Sequence, residues 1–447
     1  MSLDTRLGSH AAGAGAMWEP LRRTAAAHVK SRALSHGPQQ CLTAKGSAQP
    51  GVPIGSSLTL AFFASAAALY RRRGVRNRGA RRFVGITALA EPGIFEVPPT
   101  NPLGTANRFW KWRGYRIRYQ AMGEENDGPT VLLVHGLFVN ADHWRRNMPI
   151  LAEAGFRVFA VDLLGYGYSD KPSPYSEESL KVSGENGRDL GEPEVELGTA
   201  SGGRRRARVP ERHPLGSVYN FYTWSEQLCD FGEQVAGAKR MTIVSNSIGS
   251  ISSLQAAVDR PDLVDGVLVV NPNFRELHAA ESPEFIQPAV RAVQGFLRDT
   301  PAGKWLFDNL ATPSTVRTIL MEPYHNPAAV TDELVDVLLT PLLVEGSAEV
   351  VFDTLSYSAG PLPEQLLQDP RLRAPVWVCW GQEDPWTPPD RVLALDRFDA
   401  VERVVPLPGV GHCPHDEAPE LVNPLILEFV RSAAARSMDE SSVPSLS

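Results

Sequence analysis

Short apolar runs recur along this chain, each closed by a glycine, a proline or a polar cluster: Thr130–Val134, Arg157–Asp162, Met241–Val244, Gly266–Val270, Pro375–Trp380 and Arg403–Leu407. Runs this short and this continuous predict strands buried on both faces. Helical spacing lies between them. Trp224, Leu228 and Phe231 share one face of a predicted helix from Tyr219 to Phe231, and Ile248, Ile251, Leu254 and Val258 share another until Pro261 stops it. Upstream, Tyr115, Ile117 and Tyr119 alternate with Arg116 and Arg118 in a stretch from Phe109 that reads as a hairpin with one buried and one wet face.

Two segments break the alternation. From about Ser173 to Pro214 the chain turns polar, with Glu177-Glu178 and Gly202-Gly203-Arg204-Arg205-Arg206, and no period survives, so a disordered surface insertion is expected. From Pro283 to about Leu343 short helices broken by prolines are expected, with Thr312 and Thr331 as N-caps. Phe285, Val293, Phe296, Leu297, Trp305, Phe307 and Leu310 exceed what helices packed only on each other need. A helical cap inserted into an α/β sheet, with its inner face over an apolar site, accounts for them. A helix from Pro419 to Ala433 closes the fold.

Charge divides the chain differently. Residues 1–90 hold thirteen Lys/Arg against Asp4 and Glu19, a net of +11, which leaves −18 on the remainder of a 447-residue chain of net charge −7. So acidic a body argues against nucleic-acid binding, which needs a basic face. The Ala-, Ser- and Arg-rich start has the composition of an organelle transit peptide. Its apolar run Leu58–Tyr70 is followed by Arg71-Arg72-Arg73 and is short for a bilayer span. The leader resembles those of algae with complex plastids, although Met1 to Pro20 lacks a signal-peptide core; a disordered tail or a single membrane anchor is the alternative. Cys41, Cys229, Cys379 and Cys413 lie far apart and are expected as free thiols. The expected division is a leader over 1–93, a first core segment over 94–272 with the insertion at about 173–214, the cap over 273–345, a second core segment over 346–434 and a disordered tail over 435–447.

The chemistry centres on Ser245-Asn246-Ser247-Ile248-Gly249, between a buried strand and a helix. Small residues two before and two after Ser247 suit a strained strand-to-helix turn that exposes a serine Oγ. Small-x-Ser-x-Gly alone is a weak pattern. Its context strengthens it. His135-Gly136-Leu137-Phe138 ends an earlier strand, Glu383-Asp384-Pro385 follows a late one, and Gly411-His412 follows the last, which is the order in which one sheet presents nucleophile, acid and base at its carboxyl end. His412 would take the proton of Ser247 and Asp384 would hold the imidazole tautomer. Glu383 and His415 are the rivals; the Asp-Pro pair and the glycine before His412 favour Asp384 and His412. The amides of Leu137 and Ile248 would form an oxyanion hole, with His135 bracing the loop. The glycine turn Gly165-Tyr166-Gly167 lacks phosphate-loop spacing and is expected to be structural. No metal-ligand cluster is visible, and the reaction requires neither metal nor organic cofactor.

From about Phe109 to Ala433 the chain resembles the α/β-hydrolase superfamily, and within it the plastid group that includes pheophytinase and chlorophyll dephytylase. The resemblance rests on "HGLFVNADHWRRN", "VDLLGYGYSDKP", "SNSIGS", "LVDGVLVVNPN", "WGQEDPW" and "GVGHCPHDEAPELVNP". It implies an α/β-hydrolase fold, a mostly parallel sheet flanked by helices with a helical cap, and a serine hydrolase in a plastid acting on a bulky apolar ester such as the phytyl ester of a chlorophyll pigment. Ser245 stands where better-known members carry glycine. Epoxide hydrolases and haloalkane dehalogenases share the Gly-Tyr-Gly-Tyr-Ser-Asp turn but need an aspartate at the position of Ser247. A plastid lipid esterase, a general carboxylesterase and a receptor that retains its triad are the alternatives, with peripheral membrane contact open and oligomeric state unassigned.

Overall fold

The computed structural model describes residues 96–442, apart from 200, 276–277, 282–284 and 286. The strands are β1 (Arg108–Trp112), β2 (Tyr115–Met122), β3 (Thr130–Val134), β4 (Arg157–Val161), β5 (Glu194–Gly198), β6 (Arg204–Arg208), β7 (Met241–Ser247), β8 (Val264–Pro272), β9 (Val376–Gly381) and β10 (Val401–Leu407), and the six apolar runs supply β3, β4, β7, β8, β9 and β10. Eight form one sheet in the order β1-β2-β4-β3-β7-β8-β9-β10. The pairs β1/β2 and β2/β4 are antiparallel and the others parallel. This is the expected α/β architecture.

Successive residues of the central strands feed two different cores, because a strand alternates faces. Leu132, Val134, Ile243, Val267 and Val269 pack on one side with the helices Phe221–Gln234 and Gly249–Asp259. Val131, Leu133, Val244, Leu268 and Val270 pack on the other with Met148, Leu151, Val422, Ile426 and Phe429. Both faces are covered, so the runs need no polar alternation. After β3 the chain builds outward first to one edge and then, from β7, to the other. The crevice between the carboxyl ends of β3 and β7 is therefore the switch point where such sheets hold ligands.

Four expectations are corrected. Arg118 does not face water; β2 is an interior strand, and the guanidinium is fully buried against Asp162 (3.1 Å) and Asp142 (2.8 Å). The described residues of 173–214 are ordered: the helix Glu177–Lys181 precedes the antiparallel β5–β6 hairpin, whose Val195 and Leu197 pack with Val209 and Leu362. Order there comes from that small core and from ion pairs such as Arg188 to Asp259 at 2.9 Å, neither of which leaves a period in the sequence. The helical segment also runs past 345. Gln287–Asp299, Pro301–Leu310, Pro313–Leu320 and Asp332–Leu342 are followed by Ser347–Leu355 and Pro363–Leu367, and the sheet resumes only at Val376. Thr312 and Thr331 do cap their helices, accepting from the amides of Thr315 and Leu334. Finally, the last helix spans Pro419–Ser442 beyond the expected tail boundary, and Arg436 on it reaches Glu402 at 2.9 Å. The leader, including Leu58–Tyr70 and Cys41, and residues 443–447 lie outside the described residues. Cys229, Cys379 and Cys413 are buried free thiols.

Among the described residues, five buried histidines are kept neutral by burial. Desolvation lowers His135 and His415 below the ordinary imidazole range, His143 to about 4, and His213 and His278 to about 3. An imidazole whose native pKa lies below its unfolded value near 6.5 stabilises the fold fully above that value. Below it the unfolded chain takes up protons that the native chain refuses. Stability is therefore expected to fall as pH drops from 7 towards 5, by up to about 1.4 kcal/mol per histidine per pH unit. Urea unfolding at stepped pH checks this; a midpoint that stays flat or rises on acidification contradicts it.

Candidate active site

β7 ends at Ser247 with φ +53°, a left-handed conformation that a side chain-bearing residue adopts only when its surroundings enforce it. The enforcement is a close crossing of two backbones. A Cβ on Gly249 would lie 2.4 Å from the carbonyl oxygen of His135, so the chain leaving β7 passes the chain leaving β3 without room for a side chain. Ser245 is fully buried beneath the turn, and Ser250 Oγ donates to the Ser247 carbonyl at 2.6 Å. Ser247 is thereby lifted to the cavity above the sheet.

Asp384 and His412 arrive from β9 and β10, whose following loops are joined by Gln382 N–H to Leu407 O (2.9 Å) and Glu383 N–H to Val410 O (3.0 Å). His412 Nδ1 donates to Asp384 Oδ2 at 2.6 Å, which leaves Nε2 as the nitrogen free to act on a serine. Burial alone would push the Asp384 carboxyl up. The charged form of His412 and the donors Thr387 Oγ1 and Trp386 N–H outweigh this and hold it below the ordinary carboxylate range. Glu383 is exposed, whereas His415 is fully buried, 4.2 Å from the Trp144 ring and held far below the usual imidazole range by that burial and by His143. The geometry separates both rivals from the pair.

Three polar residues that sequence reasoning gave no role complete the support. Asn271, itself at φ +51°, donates to Asp384 Oδ2 at 2.6 Å and accepts from Gly381 N–H. Thr387 Oγ1 donates to the same carboxylate oxygen at 2.5 Å. Asn246 Nδ2 donates to the carbonyls of Val270 (3.0 Å) and His412 (3.2 Å), tying the residue before Ser247 to the histidine loop. The signal for Asn271 was its place at a strand end, and nothing in the sequence said which loop it would reach.

His135 is a brace, as expected. Its Nε2 accepts from Leu163 N–H at 3.1 Å, so Nδ1 carries the proton and donates to Gly136 O at 2.8 Å. Burial lowers its pKa, which keeps that tautomer neutral. Neither the Leu137 nor the Ile248 amide donates to a backbone carbonyl among the described residues, which leaves both N–H groups for a ligand. Ser247, His412 and Asn246 face a cavity of about 190 Å³ whose apolar wall includes Leu137, Val139, Phe307, Leu320, Leu338 and Leu355. Ser247 Oγ makes no hydrogen bond to His412 among the described residues; such contacts commonly tighten only around substrate. The cap touches the pair directly, since His412 N–H donates to Pro323 O at 2.7 Å. No group of three or more His, Cys, Asp or Glu side chains suited to a metal ion occurs among the described residues.

Asn271→Ala tests the support of the carboxylate. A hydrogen bond to a charged group is worth about 1.5–3 kcal/mol, so modification of Ser247 by a fluorophosphonate is expected to slow at least tenfold while the protein stays folded. An unchanged rate would mean that Asp384 holds its position without Asn271.

Comparison with known proteins places the fold. The sequence profile described as "Alpha/beta hydrolase family" matches residues 131–425. The chain is 26% identical over 338 residues to "Pheophytinase, chloroplastic" of Arabidopsis thaliana, covering 72% of this chain and 65% of the relative. It is 36% identical over 117 residues to "Bifunctional epoxide hydrolase 2" of Sus scrofa, covering 26% of this chain and 20% of that one. The matches thus span less than two thirds of these relatives' own lengths. The solved epoxide hydrolase CorEH superimposes with a TM-score of 0.52 at 18% identity, over 73% of this chain and 99% of that one, a likeness of fold alone. With the profile covering most of the described fold, the chain belongs to the alpha/beta hydrolase family.

Proposed function

We propose that the protein hydrolyses a carboxylic ester through an acyl-enzyme, with Ser247 as nucleophile, His412 as general base and acid, and Asp384 as the group that orients the imidazole. The observation that carries this reading is the Ser247 elbow sharing one apolar cavity with the His412–Asp384 pair. Ser247 Oγ attacks the ester carbonyl as His412 Nε2 takes its proton, and the oxygen that gains charge is met by the Leu137 and Ile248 amides. The C–O bond to the alcohol then breaks and the imidazolium gives its proton to the departing alcohol. Water, deprotonated by the same nitrogen, attacks the acyl-serine, and the proton returns to Ser247 as the acid leaves. Epoxide opening suits this site poorly. A serine that attacked an epoxide carbon would form an ether, which water cannot hydrolyse as it does an ester.

The apolar wall favours a bulky alkyl ester, because each buried methylene contributes about 0.8 kcal/mol. The similarity to pheophytinase supports the phytyl ester of a chlorophyll-type pigment over a plastid acyl lipid. Purified protein in detergent is expected to release phytol from pheophytin a or chlorophyll a, and Ser247→Ala is expected to lower turnover by at least ~10³-fold. Cleavage of galactolipid or p-nitrophenyl esters with both pigments untouched would overturn the pigment assignment. Binding of esters with no multiple turnover would overturn the enzyme reading in favour of a receptor.

The basic, acid-poor first ninety residues and the relative's chloroplast address support a plastid location. A fluorescent reporter fused after residues 1–95 is expected in plastids; a cytosolic signal would contradict it.

A further inference from the structure

The cap helix Pro313–Leu320 lays Val316, Ile319 and Leu320, which share one helical face, on the cavity wall, and Pro323 then ends any helical continuation and turns the chain towards the histidine loop. Between helix and proline stands Glu322. It is the one Asp or Glu among the described residues that line the cavity, and no Lys or Arg lines it. Its place is fixed from two sides. Glu322 Oε1 accepts from Trp386 Nε1–H at 3.0 Å, and the Trp386 ring lies 4.8 Å from the His412 ring. On the other side Pro323 O accepts from His412 N–H at 2.7 Å, and the Glu417 carboxylate accepts from both Asn326 N–H (2.6 Å) and Gly411 N–H (2.9 Å). One indole therefore separates a pinned carboxylate from the imidazole of the site.

That carboxylate has no counter-ion. Residues 318–370 hold nine Asp and Glu and neither Lys nor Arg. Glu322, Asp336, Glu345 and Glu349 of that segment are exposed and form no ion pair among the described residues, while Arg317, the cation nearest to Glu322 along the chain, pairs with Asp332. A neutral ester entering such a cavity gains from apolar burial. An anion entering it loses its hydration and meets a like charge as well.

We propose that Glu322 is a specificity-determining residue, which admits uncharged esters and turns away esters that carry a further anionic group such as a carboxylate or a phosphate. The inference rests on the hydrolase reading of Ser247 and His412 and names the class of ester that site accepts. A residue that merely props Trp386 needs an acceptor atom; a charge filter needs the charge. Glutamine separates the two, because its Oε1 still accepts from the indole N–H.

The test measures kcat/KM of the full-length protein at low salt for two p-nitrophenyl esters of equal chain length, the pentanoate and the mono-ester of glutarate, whose far end is a carboxylate. The ratio of the two is compared between wild type and Glu322→Gln, so that intrinsic reactivity and any shared effect on His412 cancel. Two like charges on the order of 8 Å apart near a protein surface change an equilibrium about threefold to tenfold. The wild-type preference for the pentanoate is expected to shrink by that factor in Glu322→Gln. Salt at about 0.5 M, where screening acts within roughly 5 Å, should likewise shrink the wild-type preference, and should shrink that of the variant much less. Equal ratios in wild type and variant, or a salt effect of equal size in both, would overturn the proposal and leave Glu322 as a prop for Trp386. Those results require turnover and leave the hydrolase reading intact. No turnover of either ester by the wild type would instead refute the hydrolase reading, and the proposal with it.

Discussion

The chain leaving β3 and the chain leaving β7 pass so closely that a single methyl on Gly249 would collide with the carbonyl of His135, and the placing of Ser247 follows from that contact. It forces Ser247 into a left-handed conformation, starts the helix Gly249–Asp259 directly behind it, and leaves the amides after His135-Gly136 and after Ser247 without backbone acceptors. A strained serine is tolerated because the sheet is buried on both faces and cannot relax. The left-handed turn at Ser247 is in this sense maintained by the packing of the sheet beneath it.

Electrostatics then divides labour between two histidines three residues apart. His412 has a carboxylate on its Nδ1 at 2.6 Å, and that carboxylate is itself held by Asn271, Thr387 and an amide. His415 has no carboxylate within hydrogen-bond reach among the described residues. It meets His143 at 3.1 Å, and His143 in turn meets Tyr324, whose hydroxyl donates to Asp416. One imidazole faces a carboxylate and the other is kept neutral as part of a buried hydrogen-bonded post between core and cap. Pro323 O, which accepts from His412 N–H, lies next to Tyr324, so the same post registers the cap against the loop that carries His412.

Much of this was legible in the residues, and the failures share a cause. Continuous apolar runs identified β3, β4, β7, β8 and β9 because strands covered on both faces need no alternation, and the order of Ser247, Asp384 and His412 followed from their places at strand ends. Arg118 was misread because alternation with Tyr115 and Ile117 cannot reveal that Asp142 and Asp162 wait on the other side. The segment 173–214 was misread because a hairpin fixed by four apolar side chains and by ion pairs to distant carboxylates has no local period. Asn271 and Thr387 were missed for the same reason: their partner lies about a hundred residues away for one and three residues away for the other, and neither spacing is a pattern. Long-range polar contacts are where the sequence is silent, and they are also what aligns this site.

The proposed hydrolysis requires Ser247 to form a covalent bond to the acyl half of its substrate. Rapid-quench mass spectrometry of the full-length protein with a p-nitrophenyl ester measures that bond directly. The expected result is one acyl group per chain, on a peptide containing Ser247, appearing as fast as the first equivalent of p-nitrophenol is released. Release of p-nitrophenol with no acyl group on the protein, or with the group on another residue, would contradict it.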